Sequence, residues 1–262
     1  MDPYIFEEVT LLITHYNRSI SLERLLMAFR DLKCVFAEII VSDDGSGPDH
    51  LGRVRRLQGE FDFKLVTSPY NKGLGNNINK GQKEVKSPYT LYVQEDFIPA
   101  PVFPERLSES LSILNEDSQI DFIRFFALFR YPDLSPYNDH FSLVFFNKWN
   151  TSHLKFFCYS DNPHLRRSSF FKKFGEYKEG WAGDVTEFDM SLSFIRNGGK
   201  ALIAKDYDKV FIHQNSNDEP SMMERKPWRH KKDFFIRVLR AVYLKYRLIK
   251  NTVQLYRYPK IK

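Results

Sequence analysis

The chain of 262 residues is 42% hydrophobic and 27% charged, which excludes a disordered segment and suits one large domain or one domain with an extension. Its net charge of +6 is uneven: residues 221–262 hold 13 of the 39 Lys and Arg and only two acids, Glu224 and Asp233, leaving the rest at net −5. An acidic body argues against a nucleic-acid binder, and no apolar run reaches the roughly 20 residues of a membrane span.

Val9 to Thr14 is a short apolar run and predicts a buried parallel strand, leaving into His15-Tyr16-Asn17-Arg18. A helix follows, with Leu22, Leu25, Leu26 and Phe29 on one face and Ser19 or Ser21 as its cap. Glu38 to Ser42 predicts a second strand, running into Asp43-Asp44-Gly45-Ser46 and a helix over 49–58. A third strand, Phe61 to Thr67, leads into Asn71-Lys72-Gly73-Leu74-Gly75 and a helix to Lys86, which Ser87-Pro88 breaks. Tyr89 to Pro99 predicts a buried strand ending in Glu95 and Asp96. This alternation calls for a mostly parallel sheet.

The second half is less regular. A helix is predicted over 105–115, a strand over 121–129, a structured loop over 130–160, and a short helix over 166–174. Thr186 to Arg196 is helical and stops at Asn197-Gly198-Gly199. Strands are expected over 200–204 and 209–213. Beyond Asp233 an apolar stripe of Phe235, Val238, Val242, Tyr246, Ile249, Val253 and Tyr256 steps by three or four, with Arg237, Arg240 and Arg247 opposite. Such a helix packs on the domain, dimerises, or lies on an anionic membrane surface.

Asp43, Asp44, Asn71, Glu95 and Asp96 all fall just past the ends of predicted strands, which puts them in one crevice of an open sheet. An acidic cluster there needs a divalent ion before it can face phosphates. Singly the signals are weaker. Asp43-Asp44-Gly45-Ser46 equally suits an ordinary turn, and Gly73-Leu74-Gly75 fails the dinucleotide fingerprint because Ile78 stands at the third glycine position. Lys72 beside a helix start suits an anion site or, equally, a plain glycine-rich helix entry. Asp184, Glu187 and Asp189, in a helical first turn after Trp181, serve either as dipole partners or as a general base. His213 alone is structural, but together with Asp96 it suits a hard ion that accepts one nitrogen.

Together these segments resemble family 2 glycosyltransferases of the GT-A fold: Thr-Leu-Leu-Ile-Thr-His-Tyr-Asn-Arg, Ile-Ile-Val-Ser-Asp-Asp-Gly-Ser, Asn-Lys-Gly, Gln-Glu-Asp, Thr-Glu-Phe-Asp-Met-Ser-Leu and His-Gln-Asn-Ser, in that order over roughly residues 9–216. The resemblance implies a Rossmann-like α/β domain over 1–216, with a nucleotide-binding half (1–100) and an acceptor-side half (101–216). A basic amphipathic helical extension over 217–262 follows. It further implies that Thr14, Tyr16 and Arg18 line a nucleotide pocket and that Asp43, beside Asp44, holds the base. Asn71, Lys72, Gly73 and Glu95 flank the ribose or diphosphate. Asp96 and His213 bind Mn²⁺ or Mg²⁺, and Glu187 is the base, with Asp184 and Asp189 as alternatives. Two departures stand out: Gln94 replaces the first acid of the metal motif, and Glu187 replaces the family's usual Asp.

The implied reaction is inverting transfer from a nucleoside-diphosphate sugar, foremost a UDP-sugar, to a hydroxyl of a glycan or lipid-linked acceptor, in bacterial surface polysaccharide synthesis. The alternative is a binder that keeps the fold without the chemistry. Cys34 and Cys158 lie far apart and suit a reducing compartment, and the first residues lack a signal peptide. The expected location is the cytoplasm or the inner face of its membrane.

Overall fold

The computed structural model describes residues 2–214, Glu219 and 234–261, with side chains from 239 onward in the last segment. The first half alternates as expected. It comprises β1 (Tyr4–His15), α1 (Ser19–Asp31), β2 (Cys34–Asp43), α2 (Pro48–Phe61), β3 (Lys64–Thr67), α3 (Leu74–Glu84), β4 (Tyr89–Gln94), β5 (Phe97–Pro99) and α4 (Phe103–Glu116). The second half adds β6 (Phe122–Arg124), β7 (Leu134–Pro136), β8 (Phe141–Val144), a 3₁₀ turn at His153–Phe156, β9 (His164–Arg167), α5 (Phe170–Phe174) and α6 (Gly183–Arg196). After these come β10 (Ala201–Ala204), α7 (Tyr207–Val210), β11 (Phe211–His213) and α8 (Phe234–Arg257).

Among the described residues the main sheet has nine strands in the order β3-β2-β1-β4-β9-β6-β10-β8-β7, and β11 pairs with β5 in a small second sheet. β3, β2, β1 and β4 are parallel, so their carboxyl ends share one edge: Thr14 stands opposite Ser42 and Gln94, and His15 opposite Asp43. Past β4 the sheet is mixed, because β9 runs antiparallel to both β4 and β6. Both faces are buried, which is why β1 is a continuous apolar run rather than an alternating one. Leu11, Ile13, Val41, Leu91 and Val93 face the α1, α2 and α4 side. Leu12, Ile40, Tyr92 and Phe122 face Ile78 of α3, Phe170 and Phe174 of α5, and Phe194 of α6.

Several sequence expectations are corrected here. Residues 164–167 are strand β9, not the start of a helix, and only 170–174 is helical. The strand expected over 121–129 is limited to β6, and 207–210 is a helical turn ahead of β11. The loop over 130–160 contains the β7–β8 hairpin. The carboxylate of Glu219 caps α1: its oxygens accept from the Ile20 and Ser21 N–H groups, both at 2.9 Å, and from Ser21 Oγ at 2.6 Å. Ser19 and Ser21 therefore do not cap that helix.

The tail is helical, as expected. Leu248, Asn251, Leu255 and Tyr258 face inward, whereas Val242, Tyr246, Ile249, Val253 and Tyr256 of the apolar stripe face solvent. The side chains of Phe235, Arg237 and Val238 lie outside the described residues, as do Asn215, Ser216 and 220–233. Among the described residues no helix is long and apolar enough to cross a membrane.

Candidate active site

The site is built at the shared edge of the parallel strands. β1 ends in His15, whose Nδ1 lies 2.8 Å from Asp43 Oδ1 at the end of β2. Asp43 Oδ2 accepts from the Gly45 and Ser46 N–H groups, each at 3.1 Å, and Ser46 Oγ donates to Oδ1. Burial would raise its pKa, but the bonds from His15 and Ser46 hold it below the ordinary aspartate value. All four acceptor positions of the Asp43 carboxylate are thus taken within the loop. The side chain that the resemblance sets against a base is thus engaged by His15 and Ser46 of its own corner.

Asp44 is less committed. Its Oδ1 accepts from Lys72 N–H at 2.9 Å and its Oδ2 from Gly73 N–H at 2.8 Å, so one lone pair on each oxygen remains. Burial raises its pKa despite these bonds. Asp44 therefore staples the Asn71–Gly73 loop to the end of β2, and Asn71 closes the same turn by accepting from Gly73 N–H at 2.9 Å. Gly45, with φ +73°, sits where a Cβ would stand 2.4 Å from the Tyr70 carbonyl carbon, so no other residue fits this crossing of loops. Thr14 Oγ1 bonds Tyr92 OH at 3.0 Å, and Tyr16 is half-buried beside Arg18.

The acidic strand end has its cation. Arg18 Nη1 lies 2.9 Å from Asp96 Oδ2 and 3.7 Å from Glu95 Oε1. The Arg18 backbone N–H donates to His15 Nε2 at 3.2 Å, which ties this corner to Asp43. β11 pairs with β5 and delivers His213, whose Nε2 is 3.1 Å from Asp96 Oδ2. Burial would raise Asp96, but His213 and Arg18 hold its pKa down. Glu95 is pushed up to about 8, by burial first and then by the charge of Asp96, against the pull of Arg18. Asp96 Oδ1 is buried and has no hydrogen-bond partner among the described residues.

The α6 end closes the site. A Cβ on Gly75, at the start of α3, would stand 2.6 Å from Lys178 O and 3.1 Å from Thr186 Oγ1, so α3 and α6 meet at their amino ends. Glu187, one residue on, is half-buried, and its Oε1 accepts from Asp161 N–H at 3.1 Å. Burial raises its pKa. Asp189 is taken up elsewhere: Oδ1 pairs with Lys178 at 3.0 Å and Oδ2 accepts from Tyr258 OH at 2.7 Å. Of the three candidate bases, Asp184 is exposed and Asp189 is paired with Lys178, whereas Glu187 is shielded from solvent and has no ion pair among the described residues.

An unbroken chain of contacts therefore runs from α6 through Gly75 and the 71–73 loop to Asp44, Asp43, His15, Arg18, Asp96 and His213. Sequence reasoning missed Asp161 and the fully buried Arg124, which donates to Phe157 O and Cys158 O at 3.2 and 2.9 Å. It also missed Glu219, whose backbone carbonyl accepts from Arg18 Nη2 at 3.0 Å. None of the three sits in a motif; the only hint was an arginine inside an apolar strand.

Residues 10–175 match the sequence model of glycosyl transferase family 2. The chain belongs to that family. Among its relatives, poly-β-1,6-N-acetyl-D-glucosamine synthase of Staphylococcus aureus is 30% identical over 92 residues, covering 35% of this chain and 22% of the relative. The Staphylococcus epidermidis protein of the same name is 27% identical over the same length and shares. The match thus spans less than a quarter of these relatives. Solved structures share the GT-A fold. TarS residues 1–349 of S. aureus, in complex with UDP-GlcNAc, superposes with a TM-score of 0.60 at 15% identity over 95% of this chain and 71% of that one. GalNAc-T7 with UDP, GalNAc and Mn²⁺ gives 0.58 at 15% identity, over 81% and 45%. The mannosyltransferase PcManGT of Pyrobaculum calidifontis, with GDP-Man and Mn²⁺, gives 0.52 at 14%, over 97% and 66%.

Proposed function

We propose that this family 2 chain transfers a sugar, with inversion, from a nucleoside-diphosphate donor to an acceptor hydroxyl, in the synthesis of a bacterial surface polysaccharide. The observation that carries the reading is the corner of Arg18, Asp96 and His213, with the buried Asp96 Oδ1 left over, at the end of the sheet where the nucleotide-binding loops converge. The staphylococcal poly-N-acetylglucosamine synthases support the surface-polymer context, and UDP-GlcNAc in TarS supports a uridine donor.

The chain's own residues divide the work. Tyr16, Asp44 and the 71–73 loop line the nucleotide pocket, with Asp44 retaining the acceptor capacity that Asp43 lacks. Lys72 and Arg18 bring positive charge towards the diphosphate. Glu187 accepts the acceptor hydroxyl's proton, and its raised pKa makes it a stronger base than an exposed carboxylate.

Asp96 and His213 fit a Mn²⁺ or Mg²⁺ ion: one carboxylate oxygen lacks a partner, and the imidazole points at the same carboxylate. Among the described residues no three His, Cys, Asp or Glu side chains form a complete cage, so the remaining ligands would come from the donor and water. When bound, the ion neutralises charge on the departing nucleoside diphosphate.

The test is release of nucleoside diphosphate from UDP-sugars and GDP-sugars, with and without Mn²⁺, alongside binding measured by thermal shift. Metal-stimulated release that Asp96→Asn abolishes is expected. Donor binding without release would make the chain a binder that keeps the fold. No binding of any sugar nucleotide would overturn the proposal.

A further inference from the structure

α8 presents two faces of opposite fate. Leu244, Leu248, Asn251, Leu255 and Tyr258 turn towards α6 and the 3₁₀ turn. The opposite face carries Leu239, Val242, Tyr243, Tyr246, Ile249, Val253 and Tyr256, and Val242, Tyr246 and Ile249 are 63%, 61% and 65% exposed. At 100° per residue the seven side chains fall within one arc. Lys250 and Arg257 lie inside that arc and Lys245 at its edge, all exposed. From 239 to 261 the chain has six Lys or Arg and no acid. An apolar arc of this size is unusual on a surface without a partner.

We infer that this face of α8 is a docking surface for an anionic lipid bilayer, with the helix lying in the plane of the interface. Charge complementarity selects the occupant. In a symmetric pair of α8 helices, Lys250 and Arg257 would be drawn into the seam with no acid between 239 and 261 to meet them. Against lipid, the same side chains reach outward to phosphates while their stems cover apolar surface. The tyrosines suit the headgroup level, where an apolar ring and a polar tip are both satisfied. The attachment also fits the site's geometry, because α8 is bound to the helix bearing Glu187: Tyr258 OH donates to Asp189, and Arg196 Nε donates to Tyr258 O at 3.0 Å. This inference goes beyond the glycosyl-transfer reading and does not depend on it.

The experiment is flotation of the whole chain with vesicles of phosphatidylcholine alone or with 30 mol% phosphatidylglycerol, plus light scattering without lipid. Two variants act on exposed positions only: V242S/Y246S/I249S and K245E/K250E/R257E, each checked for an unchanged melting temperature. The expected result is flotation with the anionic vesicles only, weakened at least tenfold in either variant and by high salt. Absence of flotation with anionic vesicles overturns the inference, as does equal flotation of all three proteins. A dimer that becomes monomeric in the serine variant would assign the face to a second copy of this chain instead.

Discussion

At the scale of single residues, the protein holds two carboxylates, Glu187 and Asp96, in opposite ways. Asp96 is kept ionised by Arg18 and His213, whereas Glu187 has its pKa raised by burial. A raised base leaves a signature in pH. Turnover should climb as pH rises through the elevated Glu187 value and then level off, because only the ionised form accepts a proton. Its contribution to stability has the reverse sign: it is full below the unfolded value of about 4.3 and is lost as pH rises through the folded value. Glu187→Gln should therefore cut turnover on the order of 10²–10⁴-fold while leaving donor binding and the neutral-pH melting temperature intact or higher. Retained turnover in single-turnover assays would move the role to Asp184, since Asp189 is already bound to Lys178 and Tyr258. The motifs made these carboxylates legible; their partners were not. Asp43 looked free because sequence cannot show that His15 and Ser46 fold back on it, whereas the turn-forming Asp-Asp-Gly-Ser pattern did contain that possibility.

Among elements, the parallel half was legible because its physics is local: each strand is an apolar run bounded by turn residues, and each helix has one apolar face. β9 was not. Its His164-Leu165-Arg166-Arg167 looks like a charged helix start, and its arginine is acceptable in a central strand only because distant groups receive it. Arg166 Nη2 donates to Gln82 Oε1 at 2.7 Å, and its guanidinium stacks 4.9 Å from the Phe171 ring. α8 posed a different ambiguity. Periodicity reveals that a helix has an apolar stripe, but α8 carries apolar residues on both sides, Leu248 and Leu255 on one and Val242, Tyr246 and Ile249 on the other, so spacing alone could not say which side is buried. Leu248 and Leu255 pack the buried side against Phe156 and Leu192, and the bond from Tyr258 to Asp189 adds to that seat. Tyr258→Phe keeps the ring and removes that hydroxyl, so hydrogen exchange in α8 should speed up, with a cost of about 1 kcal/mol confined to that helix. Uniform destabilisation of the whole sheet would show instead that α8 is part of one cooperative unit.

For the whole molecule, the critical joint is where the parallel half meets the mixed half, at β4 and β9. His164 lies there, fully buried, its ring packed 5.4 Å from Tyr92 and 5.5 Å from Phe122. Its Nδ1–H donates to Asn162 O at 2.7 Å, which leaves Nε2 as an acceptor facing Arg166 Nη1 at 3.2 Å. Burial, and then the charge of Arg166, drive its pKa well below the ordinary histidine value. The imidazole is therefore neutral in the folded protein, and a second proton would set two cations against each other in the core. The unfolded chain has no such restraint and binds that proton near pH 6.5. Stability from this group is consequently full above about pH 6.5 and drains away as pH falls towards the depressed folded value, at up to roughly 1.4 kcal/mol per pH unit. His164→Gln retains a polar amide but cannot titrate. Melting temperatures recorded from pH 8 to pH 5 should fall for the natural chain and fall less steeply for the variant, even if the variant starts lower at pH 8. Parallel slopes would mean that acid sensitivity lies with other buried groups, and that the joint between the halves is held by packing rather than by the neutrality of one ring.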